Sequence, residues 1–347
     1  MSQKERVPVL ITTLCRYEHF VRCVESLKKN SLAKETELYI GLDYPLYERH
    51  RDGYQKISEY LEKLDGFKKV NVIRHEKNVG AAQNAKIIRE IAWEKYDRYI
   101  VSEDDNEFSE CYLEYMNLLM DKYDNDPDVL AVTGYDYPLD TEGISGDIYA
   151  CEAYFSAFGY GIWKRKRNEY DLKRTYDTFL GYYKDRNRMK RLYKLYPNQF
   201  CNFVKGFLGY TNDLIKNGSA PSGDIAYGIY MFFEGKRMIF PVLSKVRNWG
   251  YDGSGIHCND MRNEDNGSRP TYRNFDFSSQ SIDMSPVCAA LNEIKKDDYE
   301  KVIKELNYYF QIGKREKLVS YLTYHFSLLI GVENTKKMIK KLTVKRQ

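Results

Sequence analysis

The chain predicts an α/β fold with a mostly parallel sheet covered by helices on both faces. Short β-branched and apolar runs alternate with amphipathic stretches of helical length, the pattern of successive β-α-β units. The length of 347 residues, with 43% hydrophobic and 30% charged residues, is that of a globular chain with a substantial core. The fourth strand runs directly into three acids, Glu103-Asp104-Asp105. In such sheets the carboxyl ends of the strands border the crevice where ligands bind.

Val7 to Thr12 forms the first strand, and Thr13 to Arg16 a turn. Glu18 to Asn30 follows as a helix, with Phe20, Val21, Val24 and Leu27 on one face. Glu37 to Asp43 is the second strand, and Tyr47 to Leu64 the second helix, stopped by Asp65-Gly66. Lys69 to Arg74 is the third strand, Gly80 to Glu94 the third helix, and Arg98 to Val101 the fourth strand. Ser109 is a candidate N-cap for a helix whose Tyr112, Leu113, Tyr115, Met116, Leu119 and Met120 recur at helical spacing. Val129 to Thr133 is a fifth strand. Residues 134 to 160, rich in Gly, Tyr and Asp, read as loops with short strands. Lys164 to Lys194 carries twelve Lys or Arg against four acids in short helices. A short helix, a strand around Met238 to Pro241 and a Gly-rich segment occupy 222 to 257. Residues 260 to 285 are polar and turn-prone, the stretch expected to be most mobile, and the chain from about 297 is helical and increasingly basic.

Net charge is +4 and the pI near 8.4, too weak a bias to imply nucleic acid as a partner. The seven cysteines are scattered, with no CxxC pair, so neither a disulfide framework nor a structural zinc site is indicated. Reduced thiols, an N-terminus that enters a strand without a leader, and no apolar run near the roughly 18 residues needed to span a bilayer give a cytoplasmic expectation.

Adjacent carboxylates repel unless a cation or hydrogen bonds compensate them, and a hard divalent ion shared with a diphosphate would do so. Other polar residues fall at the same sheet edge. Thr12, Thr13 and Arg16 follow the first strand, where they can meet a base and ribose. Asp43 ends the second strand and can accept from such groups, and Arg74 ends the third. Asn78-Val79-Gly80 opens the third helix, with Asn84 one turn in; a helix N-terminus favours anionic ligand groups and Gly lets the backbone approach.

The order Thr-Thr-x-x-Arg, then Asp43, then Glu-Lys-Asn-x-Gly, then Glu-Asp-Asp resembles the GT-A fold glycosyltransferases. It is similar to family 2 members and to the inverting N-acetylglucosaminyltransferase I type. Ser156-Ala157-Phe158-Gly159-Tyr160-Gly161-Ile162-Trp163-Lys164 resembles the Ser-x-Trp-Gly-Trp-Ala-Thr-Trp segment of bacterial relatives, and Ser222-Gly223-Asp224 their Ser-Trp-Asp. Val246 to His257 resembles their Asn-x-Gly and Gly-x-x-His tail. Phe158, Tyr160 and Gly223 stand where those relatives carry Trp, which reshapes the wall around sugar and acceptor.

The resemblance, over roughly residues 6–258, implies a nucleotide-sugar half over 1–133 and an acceptor half over 134–260; composition adds a mobile polar segment over 261–296 and a helical basic tail over 297–347. It implies Mn²⁺ or Mg²⁺ held by Asp105 with His257 in reach, Glu103 and Asp104 on donor hydroxyls or metal-bound water, and Asp224 as general base. Tyr135, Phe158, Gly159, Tyr160 and Trp163 become the sugar or acceptor wall. The expected partners are a UDP-linked donor, a glycan or lipid-linked oligosaccharide acceptor of surface polysaccharide synthesis, and an anionic membrane face for Lys336, Lys337, Lys340, Lys341, Lys345 and Arg346. Two alternatives stand beside it: a sugar-nucleotide nucleotidyltransferase, which would release pyrophosphate, and a non-catalytic module that binds nucleotide sugar.

Overall fold

The structure is a computed structural model that describes residues 5–208, 223–255, 269, 271–273, 275–287 and 290–344. Its first half alternates β1 (Val9–Thr13), α1 (Tyr17–Lys28), β2 (Glu37–Leu42), α2 (Arg51–Leu61), β3 (Lys69–Arg74), α3 (Ala81–Ala92) and β4 (Arg98–Glu103). A three-residue strand β5 (Asn106–Phe108), helix α4 (Tyr112–Lys122) and strands β6 (Val129–Thr133), β7 (Ile148–Cys151) and β8 (Tyr160–Trp163) follow. Helices α5 (Lys164–Lys173), α6 (Tyr176–Lys184), α7 (Arg186–Leu195), α8 (Pro197–Leu208) and α9 (Gly223–Glu234) lead to β9 (Arg237–Pro241) and β10 (Val246–Asn248). Three more helices, α10 (Lys296–Tyr309), α11 (Lys314–Ile330) and α12 (Val332–Val344), close the chain.

Eight strands form one sheet in the order β3-β2-β1-β4-β8-β6-β9-β7. Six run one way; β8, inserted between β4 and β6, and β7 at the edge run against them. The α/β expectation is met, and the sheet runs unbroken across residue 133, so both halves share one scaffold. The expected strands over 69–74 and 129–133 coincide with β3 and β6. β4 extends two residues beyond its expected end, because Ser102 and Glu103 still pair with Ile11 and Thr12 of β1.

Alternation along β1 sorts side chains to two cores. Val9 and Ile11 join Phe20, Val24, Ile57, Leu113 and Met116 on the face covered by α1, α2 and α4. Leu10 joins Ile88, Tyr99, Tyr170, Phe203 and Tyr230 on the face covered by α3 and the helices from α5 to α9. Burial of such side chains stabilises by about 1.5–3 kcal/mol each, so both faces carry the fold. Much of the second core is aromatic, with Phe155, Tyr227 and Tyr170 stacked at 4.0 Å spacings. Of the polar segment over 261–296, the described residues Phe275, Phe277 and Gln280 are buried, the rings beside Tyr309 and the amide on the Asp136 carbonyl. No described helix is long and apolar enough to cross a membrane.

Candidate active site

The register of β1 against β2 and β4 brings Thr13, Asp43 and Glu103 to the same carboxyl edge of the sheet. Immediately beyond it the chain turns through Asp104 and Asp105 into β5, which pairs antiparallel with β10. That two-stranded ladder holds the acids from below. Asn248 donates to Asp105 Oδ1 at 2.8 Å and to Asn106 Oδ1 at 3.0 Å, and Trp249 N–H donates to the Asp105 carbonyl at 2.8 Å. Gly250 N–H closes the loop on Asn248 Oδ1 at 2.9 Å. A Cβ at position 250 would lie 2.2 Å from Asp105 Oδ2, so only glycine leaves room for that carboxylate.

Thr13 Oγ1 donates to Asp104 Oδ2 at 2.9 Å, and the Arg16 guanidinium bridges Asp104 Oδ1 and Asp105 Oδ2, the latter at 2.8 Å. One guanidinium thus faces three clustered acids. Glu103 retains accessible surface but is crowded by protein on its other sides. Desolvation, with the charges of Asp105, Asp224 and Asp104 added, pushes its carboxyl above the usual range. Thr12 lies opposite Glu103 in the register and is half-buried.

Asp224 sits in the first turn of α9, after Gly223, whose φ of +68° is a backbone conformation that glycine adopts without strain. Its carboxylate accepts from the Ala157 N–H, in the loop before β8. Desolvation pushes Asp224 up to about 7 even though part of its surface meets solvent. The charge of Asp224, on α9, contributes to raising Glu103, at the end of β4, which sets the start of α9 near the carboxyl edge of the sheet. Phe158, half-buried, lies between Tyr135 and Tyr251, at ring distances of 4.9 and 6.4 Å. Tyr160 packs on Phe155 at 5.0 Å, and the Gly159 carbonyl accepts from Gly134 N–H and Thr133 Oγ1.

Several residues expected at a ligand have partners within the chain. Asp43 spends both oxygens on its own chain: Tyr44 and Val79 N–H at 2.9 Å on Oδ1, Gly80 N–H at 2.9 Å and the Asn78 amide at 3.2 Å on Oδ2. Asn78 also donates to the Tyr44 carbonyl at 2.7 Å, and α3 opens at Gly80 with no side-chain cap on its first turn. Asn84 is buried and ties α3 to the Gly41 carbonyl at 2.8 Å, with His75 on its other amide atom. Arg74 reaches Ser58 on α2. Tyr135 is fully buried and supports the Phe158 ring instead of lining the cleft.

Trp163 pairs with Arg98 at the start of β4, the opposite sheet edge from the acids, because β8 runs antiparallel. It is fully buried under Lys166, whose Nζ lies 3.6 Å from the ring centre. His257 lies outside the described residues. The residues that sequence reasoning gave no role are Asn248 and Gly250; the Asn-x-Gly spacing was visible, its partner 143 positions earlier was not.

The donor chemistry fits a hard divalent cation: oxygen ligands only, an excess of carboxylate over guanidinium, and a glycine cradle beside Asp105. Among the described residues no three His, Cys, Asp or Glu side chains converge as a metal site. A cation here would complete its shell with ligand oxygens, as ions held by one or two carboxylates and substrate phosphates do.

No family model matches the chain, and neither does any curated protein. Solved structures that resemble it are glycosyltransferases. An S. aureus TarS structure is 15% identical over 48% of this chain and 49% of its own, with a TM-score of 0.35. The mannosyltransferase PcManGT from Pyrobaculum calidifontis, solved with GDP-Man and Mn²⁺, is 12% identical over 47% of this chain and 46% of its own, with a TM-score of 0.33. GalNAc-T7, solved with UDP, GalNAc and Mn²⁺, is 14% identical over 73% of this chain and 46% of its own, with a TM-score of 0.37. The chain spans from 21% to 49% of the length of the solved structures it resembles.

Proposed function

We propose that the chain is a metal-dependent, inverting glycosyltransferase that moves a sugar from a UDP-linked donor to a hydroxyl of a glycan or lipid-linked oligosaccharide. What supports this is the Glu103–Asp105 run held by Thr13, Arg16 and Asn248, with the charge of Asp224 bearing on Glu103. Transfer with inversion needs a charge-neutralising site under the leaving diphosphate and a base on the opposite side of the sugar. A Mn²⁺ or Mg²⁺ ion held by Asp105, with Glu103 beside it, would supply Lewis-acid neutralisation of the departing diphosphate. Thr12, Thr13 and Arg16 border the donor side, where Arg16 also fixes the Asp104 and Asp105 carboxylates. Asp224 takes the proton from the acceptor hydroxyl as that oxygen attacks the anomeric carbon, and Phe158 and Tyr160 border the acceptor. A carboxyl poised near 7 is matched to that task at neutral pH.

An acceptor from surface polysaccharide synthesis on the cytoplasmic side of a membrane is part of the same reading, motivated by the sequence excess of twelve basic residues over four acids from Lys164 to Lys194, of which Arg165, Arg167 and Arg191 are already paired with acids of the chain.

The test is a panel of UDP-, GDP-, dTDP- and CMP-sugars with and without Mn²⁺, read by thermal shift and by product analysis. A ligand at a hundred times its dissociation constant adds about 2.7 kcal/mol of stability. Expected is Mn²⁺-dependent stabilisation by one nucleotide sugar, lost in Asp105→Ala, with release of nucleoside diphosphate on adding acceptor. Pyrophosphate released from a nucleoside triphosphate, or donor binding that Asp105→Ala leaves metal-dependent, would overturn the assignment.

A further inference from the structure

Helix α11 is inside out. Its buried positions are Ser320, Tyr324 and Ser327. They meet α8 and α6 through a Tyr183–Ser327 hydrogen bond of 2.8 Å and ring contacts of Tyr324 with Tyr183 and Phe200. Its solvent face carries Leu318, Val319, Leu322, Phe326, Leu329 and Ile330, between 37% and 82% exposed. At 3.6 residues per turn these six fall within an arc of about 120°. A helix that places hydroxyls inward and large aliphatics outward has a second apolar environment to meet.

Between Leu318 and Ile330 there is no charged residue, yet the run is bounded by Lys314, Arg315 and Lys317 before it and by exposed Lys337 and Lys341 on α12 after it. Residues 311–347 hold nine Lys or Arg and two acids, whereas the whole chain is only +4, so the rest of the chain is net negative. Both acids are engaged within the chain, Glu316 by Lys205 and Arg273 and Glu333 by Lys336. The exposed apolar run is thus flanked along the chain by cations on both sides. A second copy would present the same cationic frame and repel it, whereas an anionic lipid surface complements both the frame and the stripe.

We propose that the exposed face of α11, framed by the lysines of α12, is a monotopic docking surface for an anionic membrane. The uncharged run is about 20 Å long as a helix, short of the roughly 30 Å hydrocarbon core, so it lies in the interface and does not cross. Lys314 and Arg315 reach the headgroups while the aliphatics enter the acyl boundary. This inference does not depend on the transfer reaction, and its readouts do not involve activity.

The experiment is co-sedimentation of the full chain with vesicles of phosphatidylcholine alone or mixed with phosphatidylglycerol, alongside analytical ultracentrifugation without lipid. Expected is binding to the phosphatidylglycerol vesicles that weakens with salt. The triple variant Leu322→Ser, Phe326→Ser, Leu329→Ser should lower the partition coefficient about a hundredfold with an unchanged melting curve. The pair Lys337→Glu and Lys341→Glu, which leaves every apolar contact intact, should lower it about tenfold or more. Equal sedimentation of wild type and the charge-reversed pair overturns the proposal. So does a lipid-free dimer that the triple variant dissolves, since that assigns the stripe to a second copy.

Discussion

Replacing Asp224 by Asn separates catalysis from structure at one atom. Asn keeps the size of the side chain and retains an oxygen that can accept from the Ala157 N–H, so the start of α9 and the loop before β8 lose no contact. It removes the carboxylate proposed above to take the proton. Loss of a general base costs about a hundredfold or more in rate, so transfer should fall by at least that factor while donor affinity stays near wild type. The pH dependence gives an independent reading. Asp224 is raised from 3.8 to about 7, so wild-type kcat/KM should fall about tenfold per unit as pH drops below 7, and the Asn variant should lack that limb.

The same shift has a sign in stability. Because the folded value lies above the unfolded one, the folded state holds this proton more tightly, and that contribution is lost as pH rises from about 4 through about 7. Asp224→Asn should therefore be at least as stable as wild type at pH 8, with no such advantage at pH 4. Initial-rate assays of sugar transfer across pH, with melting curves at both ends, check all of this. Turnover within about threefold of wild type would refute the base assignment. Asp136, buried with its carboxylate on the Tyr149 hydroxyl at 2.6 Å, faces the core; Asp252, paired with His19 at 3.1 Å, would be the next acid to test.

Gly250→Ala should raise the Mn²⁺ concentration needed for donor binding by about tenfold or more without unfolding the chain, because its Cβ would displace Asp105 Oδ2 from 2.2 Å away; an unchanged Mn²⁺ titration would contradict this. Trp163→Ala should cost about 3–5 kcal/mol in urea unfolding yet leave donor and acceptor KM unchanged, since the ring is buried at the far sheet edge; a KM change of more than about threefold would return Trp163 to the site. Asp43→Ala should speed amide exchange at Val79 and Gly80 and lower stability by about 2–3 kcal/mol, because three backbone donors, Tyr44, Val79 and Gly80, lose their acceptor; protected amides at Val79 and Gly80 would exclude the anchoring role.

The sequence by itself determined the α/β class, the strands over 69–74 and 129–133, and the run of acids at a strand end. These depend on periodicity and composition within a few residues, where propensity and burial agree. Which way β8 runs was not legible in Tyr160-Gly161-Ile162-Trp163, since an apolar strand looks the same in either direction. Its insertion between β4 and β6 sends Trp163 away from the cleft while Tyr160 stays near it.

Likewise Asp43 carries the sequence signature of a ligand contact, and only the approach of the 78–80 loop shows its acceptor positions already filled. The hold of Asn248 on Asp105 and the outward aliphatics of α11 are decided by what packs against each element, not by the element's own pattern. Pattern specifies that a side chain will be buried or bonded; the order and direction of elements around the sheet specify against what, because that choice is made between residues far apart in the chain.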